Sequence, residues 1–185
     1  MAEVETDQVL EQLKPWLGKP LGKGGPNAAP DPVNLPMIRH WVAAFDDRNP
    51  LYLDEQAAAT GRFGELVAPP AMLQTWTMPT PILEGIAERG GAPTEIEGDN
   101  PLAVLDRAGF TATLATNSEL EFERYLRVGD ELISESILES VSERKKTGVG
   151  PGYFVTWIIT YRDGGGEVVG RQTFRVLKFN PGGAA

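Results

Sequence analysis

The chain has 185 residues, with 17 Lys and Arg against 26 Asp and Glu, one His and no Cys, and its net charge is −9. The lack of cysteine excludes disulfides, thiolate catalysis and cysteine-ligated metal sites, and a single His excludes two-histidine metal motifs. The acidic balance argues against nucleic-acid binding, which needs a basic surface. No apolar run approaches the ~18 residues that cross a bilayer, and the acidic start does not resemble a signal peptide. We therefore expect a cytoplasmic protein with no metal site and with neither nucleic acid nor membrane as a partner.

The N-terminal segment 1–32 is predicted to form a short helix and a crossing segment. Residues 5–17 have apolar side chains at helical spacing, and Thr6 or Asp7 can cap the helix. Residues 18–32 are dense in Gly and Pro, which is typical of an extended connection without regular structure.

Two further helices are predicted on either side of a turn. Asn34 can cap the first, which should end near Asp46 and Asp47. Asp54 can cap the second, and Gly61 should end it.

The middle of the chain gives a weaker pattern. Residues 66–89 begin with a double proline and continue as a mixed apolar helix that Pro79 and Pro81 interrupt. Residues 90–111 are Gly-rich and polar, and we expect them to form an irregular excursion over the surface.

From about Thr113 the apolar residues alternate with polar ones, which predicts three or four antiparallel strands. Residues 127–130 form a tight connection, and the D-G-G-G sequence at 163–166 predicts a hairpin. Helices followed by a strand meander indicate the α+β class. At this size a single main domain is expected, over 33–180, with 181–185 as a frayed tail or a truncated linker.

The residues from Phe45 to Asp54 read F-D-D-R-N-P-L-Y-L-D. They resemble the motif G-D-x-N-P-x-H-x-D of MaoC-like hydratases, with Asp47 at the catalytic Asp and with Asn49 and Pro50 matching outright. The flanking segments D-P-V-N-L-P-M-I-R-H-W and V-A-P-P-A-M and the C-terminal strands are also similar to the N-terminal domain of MaoC-like proteins. More narrowly, they look like the MaoC-like half of the heteromeric enoyl-CoA hydratase that shortens steroid side chains in actinobacteria.

The resemblance implies a hot-dog fold, in which an antiparallel sheet wraps around a central helix. It also implies that a 2-enoyl-CoA is hydrated to a 3-hydroxyacyl-CoA, with the CoA thioester as part of the substrate and no other cofactor. In the family an Asp and a His share one water, and a backbone N–H binds the thioester oxygen. Hot-dog sheets usually pair across two protomers and form their active sites between them.

This chain departs from the family motif in two catalytic parts. Tyr52 stands where the catalytic His belongs, and a phenol with a pKa of ~10 is a donor and not a base at pH 7. Pro70 stands where Gly is common, and proline has no N–H for the thioester oxygen. The resemblance therefore implies a chain that is inactive or weak alone. A smaller catalytic MaoC-like chain would supply the Asp and His in a heterodimer or heterotetramer.

Alternatives stay open for the individual residues of the motif. Asp47 is either a surviving or vestigial catalytic carboxylate or a turn former. Tyr52 is either a substrate-contacting hydroxyl or a ring packed under the sheet. Asn49 is expected to hold the turn and is a candidate for substrate contact. His40 should lie on the flank or solvent side of its helix, outside the catalytic machinery.

Two groups of residues are candidates for holding an acyl-CoA. The first is a cationic run before a Gly-rich stretch, which would meet the phosphates of CoA or form a solvated hairpin rim: Arg144, Lys145 and Lys146. The second would line a pocket for a bulky acyl group or belong to the plain core: Leu73, Trp76 and Met78.

Three functions are consistent with these residues. The leading hypothesis is a MaoC-like subunit of a heteromeric enoyl-CoA hydratase that acts on a bulky thioester, such as one carrying a steroid side chain. The alternatives are a non-enzymatic acyl-CoA binding or scaffold domain, and a homodimeric hydratase that uses Asp47.

Overall fold

The computed structural model describes residues 7–20, 25–78, 80–86 and 100–182. The α-helices are α1 (Gln8–Leu13), α2 (Leu35–Phe45), α3 (Pro50–Leu53), α4 (Glu55–Thr60) and α5 (Pro101–Arg107). Two 3₁₀ helices are Lys14–Trp16 and Pro70–Thr77. The strands are β1 (Asn27–Ala28), β2 (Ala112–Phe122), β3 (Leu132–Val141), β4 (Gly152–Asp163) and β5 (Val168–Phe179). None of the helices in this part of the chain is long and apolar enough to cross a membrane.

All five strands form one antiparallel sheet in the order β1-β3-β4-β5-β2. The α+β class is confirmed, and β3, β4 and β5 form the predicted meander, but β2 does not continue it, because it pairs with β5 and not with its sequence neighbour β3. Alternation of apolar residues shows that a strand exists and which face it buries, but it does not determine strand order. The order places β2 at one edge of the sheet, and the two-residue β1 lies at the other.

One face of the sheet carries both core clusters. Side chains of β4 alternate, so its odd-numbered residues from Tyr153 to Tyr161 point to the same side. Tyr161 belongs to the first core cluster, which α2 and the 3₁₀ helix Pro70–Thr77 cover. Tyr153 and Val155 belong to the second core cluster, which α1 and α5 cover. These two cores lie at opposite ends of the same face.

The predicted N-terminal helix is present in the described residues, whereas the segment predicted to lack regular structure contains β1. Asp7 caps α1, and its Oδ1 accepts hydrogen bonds of 3.1 Å from the backbone N–H groups of Val9 and Leu10. Thr6, the alternative cap, lies outside the described residues. The crossing segment runs along the edge of β3, through a bridge at Pro20 and then through β1.

The helices around the motif also form as predicted. Asn34 caps α2 through a 3.0 Å bond, and the helix ends at Phe45. Asp54 caps α4, and Gly61 follows its last residue. The four-residue helix α3 lies between them and was not predicted.

Two predictions for the middle of the chain need correction. The apolar stretch that begins at the double proline forms the eight-residue 3₁₀ helix Pro70–Thr77. The central helix of the fold is therefore a 3₁₀ helix and not an α-helix. The expectation of an irregular segment over 90–111 is wrong for α5, which Asn100 caps and which begins at Pro101. Asn-Pro ahead of an apolar run is a helix start, but the Gly-rich residues before it hid this signal. Residues 87–99 lie outside the described part.

Candidate functional site

The turn between α2 and α3 holds the central residues of the motif. Asp46 adopts the left-handed conformation with φ 49°, which reverses the chain at the end of α2. The Oδ1 atom of Asp47 accepts a 3.0 Å bond from the N–H of Asn49. Asn49 in turn caps α3, and its Oδ1 accepts a 3.1 Å bond from the N–H of Leu51. Both polar side chains of the motif therefore shape the turn, whatever contact they make with a substrate.

Tyr52 is a buried residue of the first core, with only 7% of its surface exposed. Burial raises the pKa of its phenol above the ordinary value, and the charges of Tyr125 and Asp47 raise it further. A hydrogen bond from the side chain of Asn49 opposes this pKa shift only in part. At neutral pH Tyr52 therefore keeps its proton and can donate a hydrogen bond, but it cannot accept a proton as a histidine base would.

The 3₁₀ helix after the double proline lies against the sheet beside this turn. Leu73 and Trp76 are buried in the first core, whereas Met78 is 52% exposed just beyond the helix end. A Cβ at Gly170 of β5 would lie 2.6 Å from both the Glu121 carbonyl oxygen and Leu73 Cδ2, so a side chain there would clash with the backbone of β2 as well as with the helix. Pro70 is the first residue of the helix, where its missing N–H removes one donor from the helix start.

A buried polar network under this helix was missed by sequence reasoning. Gln172 is fully buried, and its Oε1 accepts a 2.8 Å bond from the Tyr161 hydroxyl. Its Nε2 donates to Gln74 Oε1 at 3.0 Å and to Ser118 Oγ at 2.9 Å. The signal was a glutamine at an inward position of β5, on the same face as Phe174 and Val176. The network fixes the 3₁₀ helix to the sheet.

The indole Nε1 of Trp76 is the one buried side-chain nitrogen or oxygen in the described part of the chain without a hydrogen-bond partner. Buried donors are normally satisfied. A polar atom of a bound molecule would satisfy this one, which is consistent with the candidate role of Trp76 in substrate binding.

The cationic run lies far from the motif. It is exposed in the connection between β3 and β4, where Lys145 pairs with Gly152 and the Arg144 guanidinium lies 5.7 Å from the Phe110 ring centroid. Tyr161 belongs to the core that holds Tyr52. It lies nine residues along β4 from Gly152, the partner of Lys145, which is a distance of about 30 Å at ~3.3 Å per residue. Within one chain the structure does not bring the run and the motif together, and phosphate binding by the run stays a prediction.

His40 lies on the exposed side of α2, opposite the buried Ile38 and Val42, as predicted.

Solved structures with the same architecture identify the fold. The structure of the ChsH1–ChsH2 complex from Mycobacterium tuberculosis matches with a TM-score of 0.75 and 36% identity over 96% of this chain and 92% of that chain. An (R)-hydratase from A. caviae matches with a TM-score of 0.55 over 84% of this chain and 94% of that chain, and at 18% identity it supports the fold alone. The sheet packed on a short helix is a hot-dog fold of the MaoC-like type, as the resemblance implied.

The sequence comparisons define the family. The model of the FAS1-like dehydratase domain region matches residues 27–172. A probable enoyl-CoA hydratase alpha subunit of Thermomonospora curvata is 47% identical over 92% of this chain and 52% of its own length. The 3-oxo-4,17-pregnadiene-20-carboxyl-CoA hydratase alpha subunit of Mycobacterium tuberculosis is 39% identical over 90% of this chain and 51% of its own length. The chain therefore belongs to the FAS1-like dehydratase-region family, and it spans about half the length of these two relatives.

Proposed function

We propose that this chain is the MaoC-like part of an alpha subunit in a heteromeric enoyl-CoA hydratase. The substrate is a bulky 2-enoyl-CoA, such as a steroid side-chain thioester, and the product is the 3-hydroxyacyl-CoA. A smaller MaoC-like partner chain supplies the catalytic Asp and His. The observation that carries the proposal is the buried, protonated Tyr52 at the position where the family has its catalytic histidine.

The chemistry of hydration explains why this substitution matters. The attacking water must lose a proton while the α-carbon gains one, and the enolate oxygen needs hydrogen-bond donors. Asp47 alone would hold water from one side only, and one of its oxygens already accepts a bond from Asn49. Pro70 offers no N–H at the start of the helix. Loss of one such donor typically costs ~10²–10³ in rate, so this chain is a poor catalyst alone.

The shape of the sheet face supports a bulky acyl group. Among the described residues, the 3₁₀ helix covers only the end of the face that holds the first core, and α1 and α5 cover the other end. Trp157 and Phe174 are half-buried on the same face between the two cores, with ring centroids 5.6 Å apart. Leu73 and Trp76 at the helix, with Met78 beyond it, would form the wall next to this apolar floor.

The free edge of β2 supports a paired assembly. β2 is 11 residues long and mostly exposed, and no strand in the described part of the chain pairs with its outer side. Leu114 and Phe122 on this strand are 48% and 45% exposed. A long open edge with exposed apolar side chains is where a second sheet can add. We expect the partner chain to continue the sheet there, as a heterodimer or a heterotetramer.

Reconstitution tests the proposal. The chain is co-expressed with a candidate short MaoC-like chain that carries an intact G-D-x-N-P-x-H motif, and hydration of a bulky 2-enoyl-CoA is followed by loss of enoyl absorbance. We expect activity from the complex and little from either chain alone. Full activity of this chain alone would favour a homodimeric hydratase. Acyl-CoA binding without activity in any combination would favour a scaffold domain.

A further inference from the structure

A cavity lies beside the candidate site, between the end of β2 and the loop that follows α4. Its volume is about 570 Å³, within the ~300–1,000 Å³ that small-molecule sites occupy. Phe63 and Tyr125 stand in its wall with ring centroids 4.4 Å apart and planes inclined by 40°. Aromatic side chains of this kind give a nucleobase a surface on which to stack.

Three arginines also line the cavity, and two of them are already neutralised. The guanidinium of Arg124 donates to Asp130 at 2.6 Å and to Asp163 at 2.9 Å. Arg127 pairs with Glu65 at 3.1 Å. These ion pairs hold the wall of the cavity in place and leave little charge for a ligand.

The third arginine, Arg62, is in a different position. Its guanidinium lies 5.6 Å from the Phe63 ring centroid, and it forms no ion pair with any carboxylate of the described residues. In a chain with a net charge of −9, this places a cation that pairs with none of the described carboxylates beside an aromatic wall. A guanidinium matches the geometry of a phosphate and can donate two hydrogen bonds to it.

The cavity and the candidate site share a wall. Val67 lines the cavity and is buried in the first core together with Tyr52. The N–H of Val67 donates a 3.2 Å bond to the carbonyl of Leu51, the residue before Tyr52. A single ligand could therefore extend from the candidate site at Tyr52 into the cavity by passing over Val67.

We propose that this cavity binds the phosphorylated adenosine end of the CoA thioester, with a phosphate drawing the Arg62 guanidinium off the Phe63 ring and the adenine stacking on the face that it leaves. The choice of CoA rests on the proposed function, whereas the choice of place rests on the geometry of the cavity. The cavity is thus an alternative to the run from Arg144 to Lys146, which lies at the far end of the sheet.

Calorimetric titration of the whole chain tests the assignment. The probes are CoA, adenosine 3′,5′-bisphosphate and an acyl-pantetheine thioester that lacks the nucleotide. Arg62→Gln should raise the dissociation constants of the first two about tenfold and leave that of the pantetheine thioester unchanged. Phe63→Leu should weaken the same two ligands. Arg39→Gln, at an exposed arginine of α2, is the matched control and should change nothing.

Three outcomes would overturn the assignment. Unchanged CoA binding in both cavity variants would do so. A loss of binding in the triple Gln variant of Arg144, Lys145 and Lys146, with Arg62→Gln unaffected, would move the phosphates to that run. Equal loss for pantetheine and CoA would show a general distortion. If the reconstituted complex still hydrates the enoyl-CoA in these cases, the proposed function survives and only the cavity assignment fails; if wild-type chain and complex bind no CoA, both fail.

Discussion

Removing the amide of Gln172 should be among the more costly single substitutions in the fold. Gln172 is 0% exposed and makes three side-chain hydrogen bonds, one of them from the buried hydroxyl of Tyr161. Gln172→Leu keeps the volume close to that of glutamine but leaves the Tyr161 hydroxyl buried without an acceptor. An unsatisfied buried group costs ~1–3 kcal/mol, and the lost bonds to Gln74 and Ser118 add ~1 kcal/mol at most because their partners are exposed. We expect a total loss of about 2–4 kcal/mol.

Urea unfolding followed by tryptophan fluorescence measures this loss. The test of its cause is a double-mutant cycle with Tyr161→Phe, which removes the orphaned hydroxyl. The double variant should be more stable than Gln172→Leu alone, because replacing both partners by apolar groups is close to neutral. A loss below 0.5 kcal/mol for Gln172→Leu, or strictly additive effects in the cycle, would refute the reasoning.

Three further predictions concern other parts of the chain. Asp7→Ala should destabilise the protein by about 1–3 kcal/mol in urea unfolding, because the carboxylate caps α1 and also accepts a 2.7 Å bond from the Tyr153 hydroxyl. Asp7→Asn should recover part of this loss. Equal losses for the Ala and Asn variants would contradict the account. The Arg124 guanidinium, with the N–H groups of the hairpin, lowers the pKa of Asp163. This lowered pKa gives stability that is present above the unfolded pKa of ~4 and is lost as pH falls through the folded pKa. Arg124→Met should therefore flatten the acid limb of the pH–stability curve. An unchanged acid limb would show that the ion pair does not supply this stability. Asp47→Asn should keep the turn and change the free energy of unfolding by no more than ~0.5 kcal/mol, whereas Asp47→Ala should lower it by ~1 kcal/mol; equal unfolding free energies for the two variants would show that the carboxyl oxygen does not hold the turn.

The parts of the fold that were predictable are those set by local chemistry. Asn34 and Asp54 cap helices where short polar side chains precede an apolar run, and the glycine-rich hairpin after Asp163 joins β4 and β5. The strand order was not predictable, since the pairing of β2 with β5 joins residues that lie far apart in sequence. The 3₁₀ form of Pro70–Thr77 was not predictable either, since a mixed apolar segment that begins with prolines does not distinguish a 3₁₀ helix from an α-helix.

In the candidate site, too, the features set by local sequence were predictable and those set by contacts between distant segments were not. The motif is one contiguous stretch, so its turn and the replacement at Tyr52 could be seen in the sequence. The depth at which Tyr52 is buried, and the neighbours that raise its pKa, depend on the loop that brings Tyr125 beside it. The cavity at Arg62 combines two segments that are distant in sequence, and no local pattern announces it.

The most direct measurement compares two substitutions within the reconstituted complex. We expect Tyr52→Phe in this chain to leave kcat for enoyl-CoA hydration within about twofold, since the account gives its hydroxyl no part in proton transfer. Replacement of the histidine in the partner's motif by glutamine should lower kcat by ~10²–10⁴, the usual contribution of a general acid or base. A large fall with Tyr52→Phe, or full activity without the partner's histidine, would contradict the claim that the catalytic groups lie on the partner chain.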